Sequence, residues 1–403
     1  MLRRRLLPAS ATADAAVLLQ TRGLRAVGDG LVSTVLATYL VGLGFSSRQV
    51  GALVTATLLG SAVVTLAVGL RGYRLGRRRL LTVAAASMVA TGAAFASLSS
   101  FWWLLVVAFV GTINPSSGDV SLFLPTEQAL LPSTAADTDR TALFARYTIV
   151  GFVLAALGAL GANIVDGRQV FVVYAALGVL VLWRCSVLSP AIEPVEQAHV
   201  ALGPSRHLVY RLAAVFSLDS FGGGFVVQAM IALWLYQRFD LSVATTGTVF
   251  FWSGLLAGCS GLVAVRIARR IGLIRTMVFT HLPANVLLML TALMPSAPLA
   301  VGCLLARSAL SQMDVPVRQS YVMAVVTPVE RPAAASVTNV PRSLAAAVTP
   351  LAAGWMLDHS TFGWPLLIGG AVKAVYDVVL LVLFRDARPP EEQRQRAIIS
   401  PAS

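Results

Sequence analysis

Apolar runs separated by short polar interruptions fill the chain from about residue 16 to residue 387. Residues 50–70 and 80–98 carry no charge at all. Each approaches the ~20 residues that an α-helix needs to cross a hydrocarbon core of ~30 Å. The same pattern predicts spans over 16–45, 50–70, 80–98, 101–125, 141–165 and 170–188. A second set follows over 210–236, 244–267, 273–294, 299–326, 333–357 and 362–384. Between the sets lies a polar connector, 190–208, with Pro190, Pro194 and Pro204, where neither helix nor core is expected to continue. The predicted fold is an all-α polytopic membrane protein of twelve transmembrane helices in two pseudo-symmetric six-helix halves, 16–189 and 209–387. Residues 1–15 are expected to form a basic cytoplasmic tail and 388–403 a polar, disordered cytoplasmic one.

Composition agrees with the pattern. Of the 403 residues 57% are hydrophobic and 12% charged, a balance that no soluble core can bury. Mean hydropathy is +0.78 and the pI about 10.7. The net charge of +13 rests on arginine, since Lys373 is the only lysine. These charges fall between spans and not on one face, which argues against a nucleic-acid surface. Cys185, Cys259 and Cys303 lack C-x-x-C spacing and read as small packing residues. No histidine pattern matches a zinc site and no Walker loop is present, so no metal, cofactor or catalytic centre is expected.

Arginine then sets direction. Five arginines crowd the stretch from Gly69 to Arg79, between two uncharged runs. With an even number of spans, Arg3, Arg4, Arg5, this stretch, Arg206, Arg269, Arg270, Arg275, Arg331, Arg385 and Arg388 share one side. Only Arg48, Arg168 and Arg238 face the other, so both termini are expected in the cytoplasm of a cell-membrane protein. Trp102, Trp103, Trp234, Trp355 and Trp364 fall at the outer ends of spans, as an aromatic belt would.

The halves also repeat. A shift of 196 residues superposes Gly28 on Gly224, Ser46 on Ser242, Gly51 on Gly247 and Gly76 on Gly272. Beyond the third span the shift becomes 191, placing Pro125 on Pro316, Gln128 on Gln319 and Arg140 on Arg331. Such a parallel repeat implies an axis along the membrane normal.

The stretch Gly69-Leu-Arg-Gly-Tyr-Arg-Leu-Gly-Arg-Arg78 resembles the loop signature of the major facilitator superfamily, G-x-L-x-D-R-x-G-R-R. Gly69, Arg74, Gly76, Arg77 and Arg78 match it. Arg71 stands where leucine is usual, and Tyr73 where the family has the aspartate of a cytoplasmic latch. The resemblance covers about residues 14–387 and implies a transporter working by alternating access. Gly151, Gly158 and Gly161 loosely resemble that family's antiporter motif without its proline; close helix packing explains them equally well.

Ionisable residues inside the predicted spans carry the functional expectation, because each costs about 2.5–3.5 kcal/mol at a span centre. They include Arg22, Arg25, Asp29, Asp119, Glu127, Arg146, Asp219, Arg307, Asp314, Arg318, Arg342, Lys373 and Asp377. Arg25, Asp29, Arg307 and Asp314 are assigned to the substrate and proton pathway. Asp29 has Arg25 one turn before it, so a local pair competes with a protonatable acid. Lys373 and Asp377, four apart, read as a structural pair. Pro125-Thr-Glu127 and Pro316-Val-Arg318 are equivalent by the repeat yet opposite in charge. Glu127 and Arg318, with Arg146 and Arg342, are therefore expected to form a cytoplasmic gate; pairing of each charge within its own half is the alternative. The expected function is proton-coupled efflux of a small organic compound by a monomer in the lipid bilayer. Uptake of a small, anionic metabolite and a non-transporting membrane sensor are the alternatives.

Overall fold

Fifteen α-helices run through the described residues of the computed structural model, which comprise 7–8, 10–71, 76–116, 123–165, 167–192, 202–327 and 330–384. The first half contains α1 (Ala13–Gly42), α2 (Ser47–Arg71), α3 (Arg77–Ser97), α4 (Phe101–Val110), α5 (Phe123–Leu130), α6 (Arg140–Gly161) and α7 (Gly167–Ser186). The second contains α8 (Arg206–Gly224), α9 (Gln228–Phe239), α10 (Val243–Ile271), α11 (Leu273–Leu293), α12 (Ala297–Ser311), α13 (Asp314–Val325), α14 (Arg331–His359) and α15 (Trp364–Phe384). No strand occurs among the described residues.

The repeat reappears in the backbone. Gly76 precedes α3 with φ +72° and Gly272 precedes α11 with φ +90°, a left-handed turn that glycine makes without a Cβ clash. Gly44 (φ +88°) follows α1, and Asp240 (φ +52°) follows α9. Both pairs are 196 residues apart. Asp240 can take the glycine's place because a short polar side chain tolerates that region better than others do.

Nine helical segments among the described residues are long and apolar enough to cross a membrane, making this a multi-pass membrane protein. The fourth, tenth and eleventh expected spans are not among them: the fourth and tenth are split, and α14, over the eleventh, is unbroken but less apolar. α4 is ten residues long, and residues 111–116 after it are not helical. α12 ends at Ser311 and α13 begins at Asp314. Pro316 sits third in α13, after the break, where a missing N–H leaves no helical bond unmade. The break in the tenth span lies at Gln312 and Met313, before Pro316. The seventh span is interrupted as well, between Gly224 and Gln228. Gly224 there lies so close to α14 that a Cβ would stand 2.2 Å from the Ala346 carbonyl oxygen.

The chain divides into two compact units. Unit 1 comprises residues 1–196, 226–255 and 350–362; unit 2 comprises 197–225, 256–349 and 363–403. In unit 1, α1 packs on α6 and α7, and α3 on α7. Gly158 admits the backbone of Val27 and Gly151 the guanidinium of Arg22, so these glycines serve close packing. The unit 1 segments 226–255 and 350–362 lie against the ends of α1, α2 and α6. A Cβ on Gly51 would stand 2.3 Å from the Pro350 carbonyl oxygen, and one on Gly247 2.4 Å from that of Ala159. Gln237 Nε2 donates to Ser47 Oγ at 2.7 Å, and the Ala229 amide to Pro115 O at 2.9 Å. In unit 2, α11 packs on α12, α13 and α15, and α8 on α15, around Phe216, Met277, Val317, Tyr321 and Tyr376.

Exposed tryptophans match a lipid-facing surface: Trp102, Trp103, Trp355 and Trp364 are 45–72% exposed. Trp234 is a correction. It is fully buried, edge-on to Phe239 at 5.4 Å, and belongs to the core and not to the belt.

Candidate functional site

Charged side chains inside each unit gather into one buried cluster. In unit 1 the centre is Glu127 on α5, which has no exposed surface. Arg25 Nη2 pairs with its Oε2, Tyr147 OH donates to the same oxygen at 2.5 Å, and Thr21 Oγ1 donates to Oε1 at 3.0 Å. The Arg25 guanidinium also lies 4.2 Å from the Phe123 ring centroid, and that of Arg22 5.4 Å from the Tyr147 ring. Asp29, one turn beyond Arg25, is buried and accepts from Asn114 Nδ2 at 3.4 Å. Arg25 and Asp29 thus lie one turn apart in one buried neighbourhood. Arg146, on α6 beside Tyr147, is half-buried, and its Nη1 has no hydrogen-bond partner among the described residues.

Unit 2 holds the larger cluster, built on Asp219 of α8. Lys373 Nζ from α15 pairs with Asp219 Oδ1, and Arg318 Nη1 from α13 with Oδ2 at 3.0 Å. Arg318 Nη1 also reaches Asp314 Oδ2, one turn before it, at 3.1 Å. His281 of α11 places Nε2 3.6 Å from Asp219 Oδ1 and Nδ1 2.9 Å from Asp377 Oδ1. Asn285 Nδ2 donates to Asp377 Oδ2 at 2.9 Å. All of these charged groups are at least nine-tenths buried. Paired burial is the condition under which charges can be kept in a membrane-spanning fold.

The cluster walls a cavity of about 190 Å³, whose lining includes Asp219, His281, Arg307, Asp314, Arg318 and Lys373. α12 and α13 contribute because the break between them opens the helix where Ser311, Gln312 and Asp314 meet the cavity. Arg307 is half-buried, and its Nε is enclosed without a hydrogen-bond partner among the described residues. Arg342 of α14 donates from Nε to Ser220 Oγ at 3.1 Å, and from Nη1 to Asn339 Oδ1 at 3.3 Å.

Glu127 and Arg318, the two charges expected to face each other across the repeat, both hold partners inside their own units here. Lys373 and Asp377 do not pair with each other. Each turns to α8 or α11, because Asp219 and His281 lie within reach and an i,i+4 neighbour on the same helix offers no better geometry. His281 and Asn285 do not stand out in the sequence. Their spacing of four on an apolar helix, with Lys373 and Asp377 at the same spacing on another, is the signal they left. Of the loop signature, Gly69, Gly76, Arg77 and Arg78 are described, whereas Arg74, Tyr73 and Asp119 lie outside the described residues. Arg77 Nη1 donates to Ala129 O and Arg78 Nη2 to Ser186 O, both at 2.9 Å, tying the loop to the end of α5 and to α7.

Comparison with known proteins extends these observations. A sequence profile described as the Major Facilitator Superfamily matches residues 21–313 and 212–401. The chain is 24% identical over 413 residues to an uncharacterized membrane protein, YJR124C, of Saccharomyces cerevisiae, covering 90% of this chain and 92% of that one. It is 24% identical over 364 residues to the multidrug efflux protein YfmO of Bacillus subtilis, covering 88% and 89%. Among solved structures, the human organic anion transporter MFSD10 matches with a TM-score of 0.68 at 17% identity, over 91% of this chain and 98% of that one. That likeness shows the fold.

Proposed function

The chain belongs to the Major Facilitator Superfamily, and on that premise we propose that it is a secondary active transporter moving a small organic solute by alternating access. The observation that carries this reading is the cavity of unit 2. A space of about 190 Å³ bordered by buried, mutually paired charges serves no packing purpose. It supports the reading of a solute or ion path in a membrane protein.

Efflux is the proposed direction, on the strength of the relative named a multidrug efflux protein. Proton coupling is the proposed driving force, through buried carboxylates such as Asp29, Asp314 and Glu127. The protein is proposed to sit in the cell membrane as a monomer, with both termini cytoplasmic on the distribution of arginine. Glu127, Arg318, Arg146 and Arg342 are proposed to act as a gate by exchanging partners. Glu127 would leave Arg25, and Arg318 would leave Asp219, in the alternate state. The split helices after which Glu127 and Arg318 fall give both charges a place to move from.

The test begins with a thermal-shift screen of purified full-length protein against metabolites and drugs. A compound that raises the Tm is then taken into proteoliposomes with an imposed pH gradient. Flux driven by the gradient is the expected result. A compound that binds but never crosses would sink the transport reading, and flux indifferent to the gradient would sink the coupling.

A further inference from the structure

One end of unit 1 holds arginines that its own acids do not use. α3 opens on Arg77, Arg78 and Arg79 with no acidic residue in its first turn, and α7 closes on Trp183 and Arg184. The two helices pack closely, Gly92 against Ala175 and Gly178 against Val89. Arg78 Nη2, donating to Ser186 O at 2.9 Å, holds the start of one beside the end of the other. Arg184 Nε is enclosed without a hydrogen-bond partner. Neither the Arg184 guanidinium nor that of exposed Arg79 makes a hydrogen bond or ion pair among the described residues. Asp14 accepts from the Ser189 amide just past α7 at 3.0 Å, and Asp139 from Ser10 Oγ at 2.6 Å, so both are engaged elsewhere. Three arginines in the first turn of α3 also add to the positive end of its dipole, where acids would offset it.

These charges lie where lipid-facing surface meets water. Arg79 ends an exposed stripe of α3 that continues through Val83, Ala86 and Ala90 at helical spacing. Trp183, 60% exposed, ends the corresponding stripe of α7 after Val172 and Val179. Trp102 and Trp103 open α4 just beyond the other end of α3, so exposed indoles bracket the α3–α7 pair at both membrane surfaces. The Arg184 guanidinium lies 5.2 Å from the Trp183 ring centroid, which places a planar cation beside an indole at headgroup level.

We infer that Arg79, Arg184 and Trp183 form a binding site for an anionic phospholipid on the lipid-facing surface of unit 1. The guanidinium fork matches the phosphate oxygens, and the indole covers the glycerol end of the acyl chains. A zwitterionic lipid brings its own cation into the same positive field, so net charge is what the site selects. The lipid-facing position makes this inference independent of the transport reading: a protein that moves nothing could hold the same lipid.

The experiment places full-length protein in phosphatidylcholine vesicles containing a rising mole fraction of either phosphatidylglycerol or phosphatidylcholine with brominated acyl chains. Bromine quenches indole fluorescence on contact, and the difference between wild type and Trp183→Phe isolates the quenching of Trp183. Half-quenching should need about tenfold less brominated phosphatidylglycerol than brominated phosphatidylcholine, and Arg79→Gln or Arg184→Gln should each reduce that preference by about fivefold. Arg275→Gln removes the exposed arginine that the repeat makes equivalent to Arg79, in unit 2, and should leave it unchanged. Equal midpoints for the two lipids overturn the inference. A loss in Arg275→Gln as large as in Arg79→Gln also overturns it, since the preference then belongs to the general field of the protein. Displacement of phosphatidylglycerol by inorganic phosphate at fixed ionic strength would reveal a site for the free anion and overturn it likewise. Native mass spectrometry of the wild-type protein, offered equal amounts of the two unbrominated lipids in detergent, needs no variant to fold. Selective retention of phosphatidylglycerol is expected, and retention without selectivity overturns the site.

Discussion

Glu127 and Arg25 show how much one buried pair decides. The carboxylate accepts from Arg25, Tyr147 and Thr21 and has no exposed surface. Arg25→Ala would leave it charged and short of its counter-ion, at a cost on the order of 3–5 kcal/mol. Replacing both members at once, Arg25→Met with Glu127→Leu, removes the stranded charge and should cost far less. Thermal unfolding in detergent distinguishes the two: the single variant is expected to lose more Tm than the double. Equal losses would mean that the pair contributes packing and no electrostatic specificity. At this scale the buried charged residues were legible in the sequence, since any ionisable side chain inside a span stands out. It could not name their partners. Lys373 and Asp377 sit one turn apart and invite pairing, yet Asp219 and His281 on other helices take them, a choice made by tertiary proximity.

Elements behave as paired designs across the repeat. Asp139 accepts from Ser10 Oγ at 2.6 Å, and Glu330, 191 residues later, accepts from Ser205 Oγ at 2.8 Å. Each acid ties the approach to a long helix, α6 or α14, to the chain just before the first helix of its half. Hydrogen bonds from Thr327, Ser205 and the Gly203 amide hold the Glu330 carboxyl below its ordinary range. A depressed folded value means the contribution is present above the unfolded carboxylate value and is lost as pH falls through the folded one. The Tm gap between wild type and Glu330→Gln should therefore be full at pH 7 and shrink below about pH 4.3. A gap that stays constant with pH would contradict it. The glycines of unit 1 yield a second prediction. Gly51→Val places carbon against the Pro350 carbonyl and must drive α2 from the 350–362 segment. With the native cysteines replaced, a cysteine at Ser47, which is 4% exposed, should label faster with a membrane-impermeant thiol reagent in the Gly51→Val background. Unchanged labelling would show that the contact opens without Gly51. The split of the fourth and tenth spans was half legible. Pro125 and Pro316 mark equivalent places in the repeat, but hydropathy averages over a window and cannot show a helix ending within it.

For the whole molecule the question is whether Glu127 and Arg318 act together. Exchanging the two charges, Glu127→Arg with Arg318→Glu, should restore part of the flux lost in either single variant if they meet during transport. If the double variant is no more active than the singles, each charge works only within its own unit. What the sequence determined by itself is the membrane class, the repeat and the superfamily signature, because span length, arginine placement and glycine turns are local or periodic properties. Gly76 and Gly272, alike in position and in positive φ, make that plain. What only the tertiary structure decided is which charges share a site. Asp219, His281, Arg318 and Lys373 come from four different helices. A buried charge takes the partner that packing brings within about 4 Å, and no spacing along the chain encodes that distance.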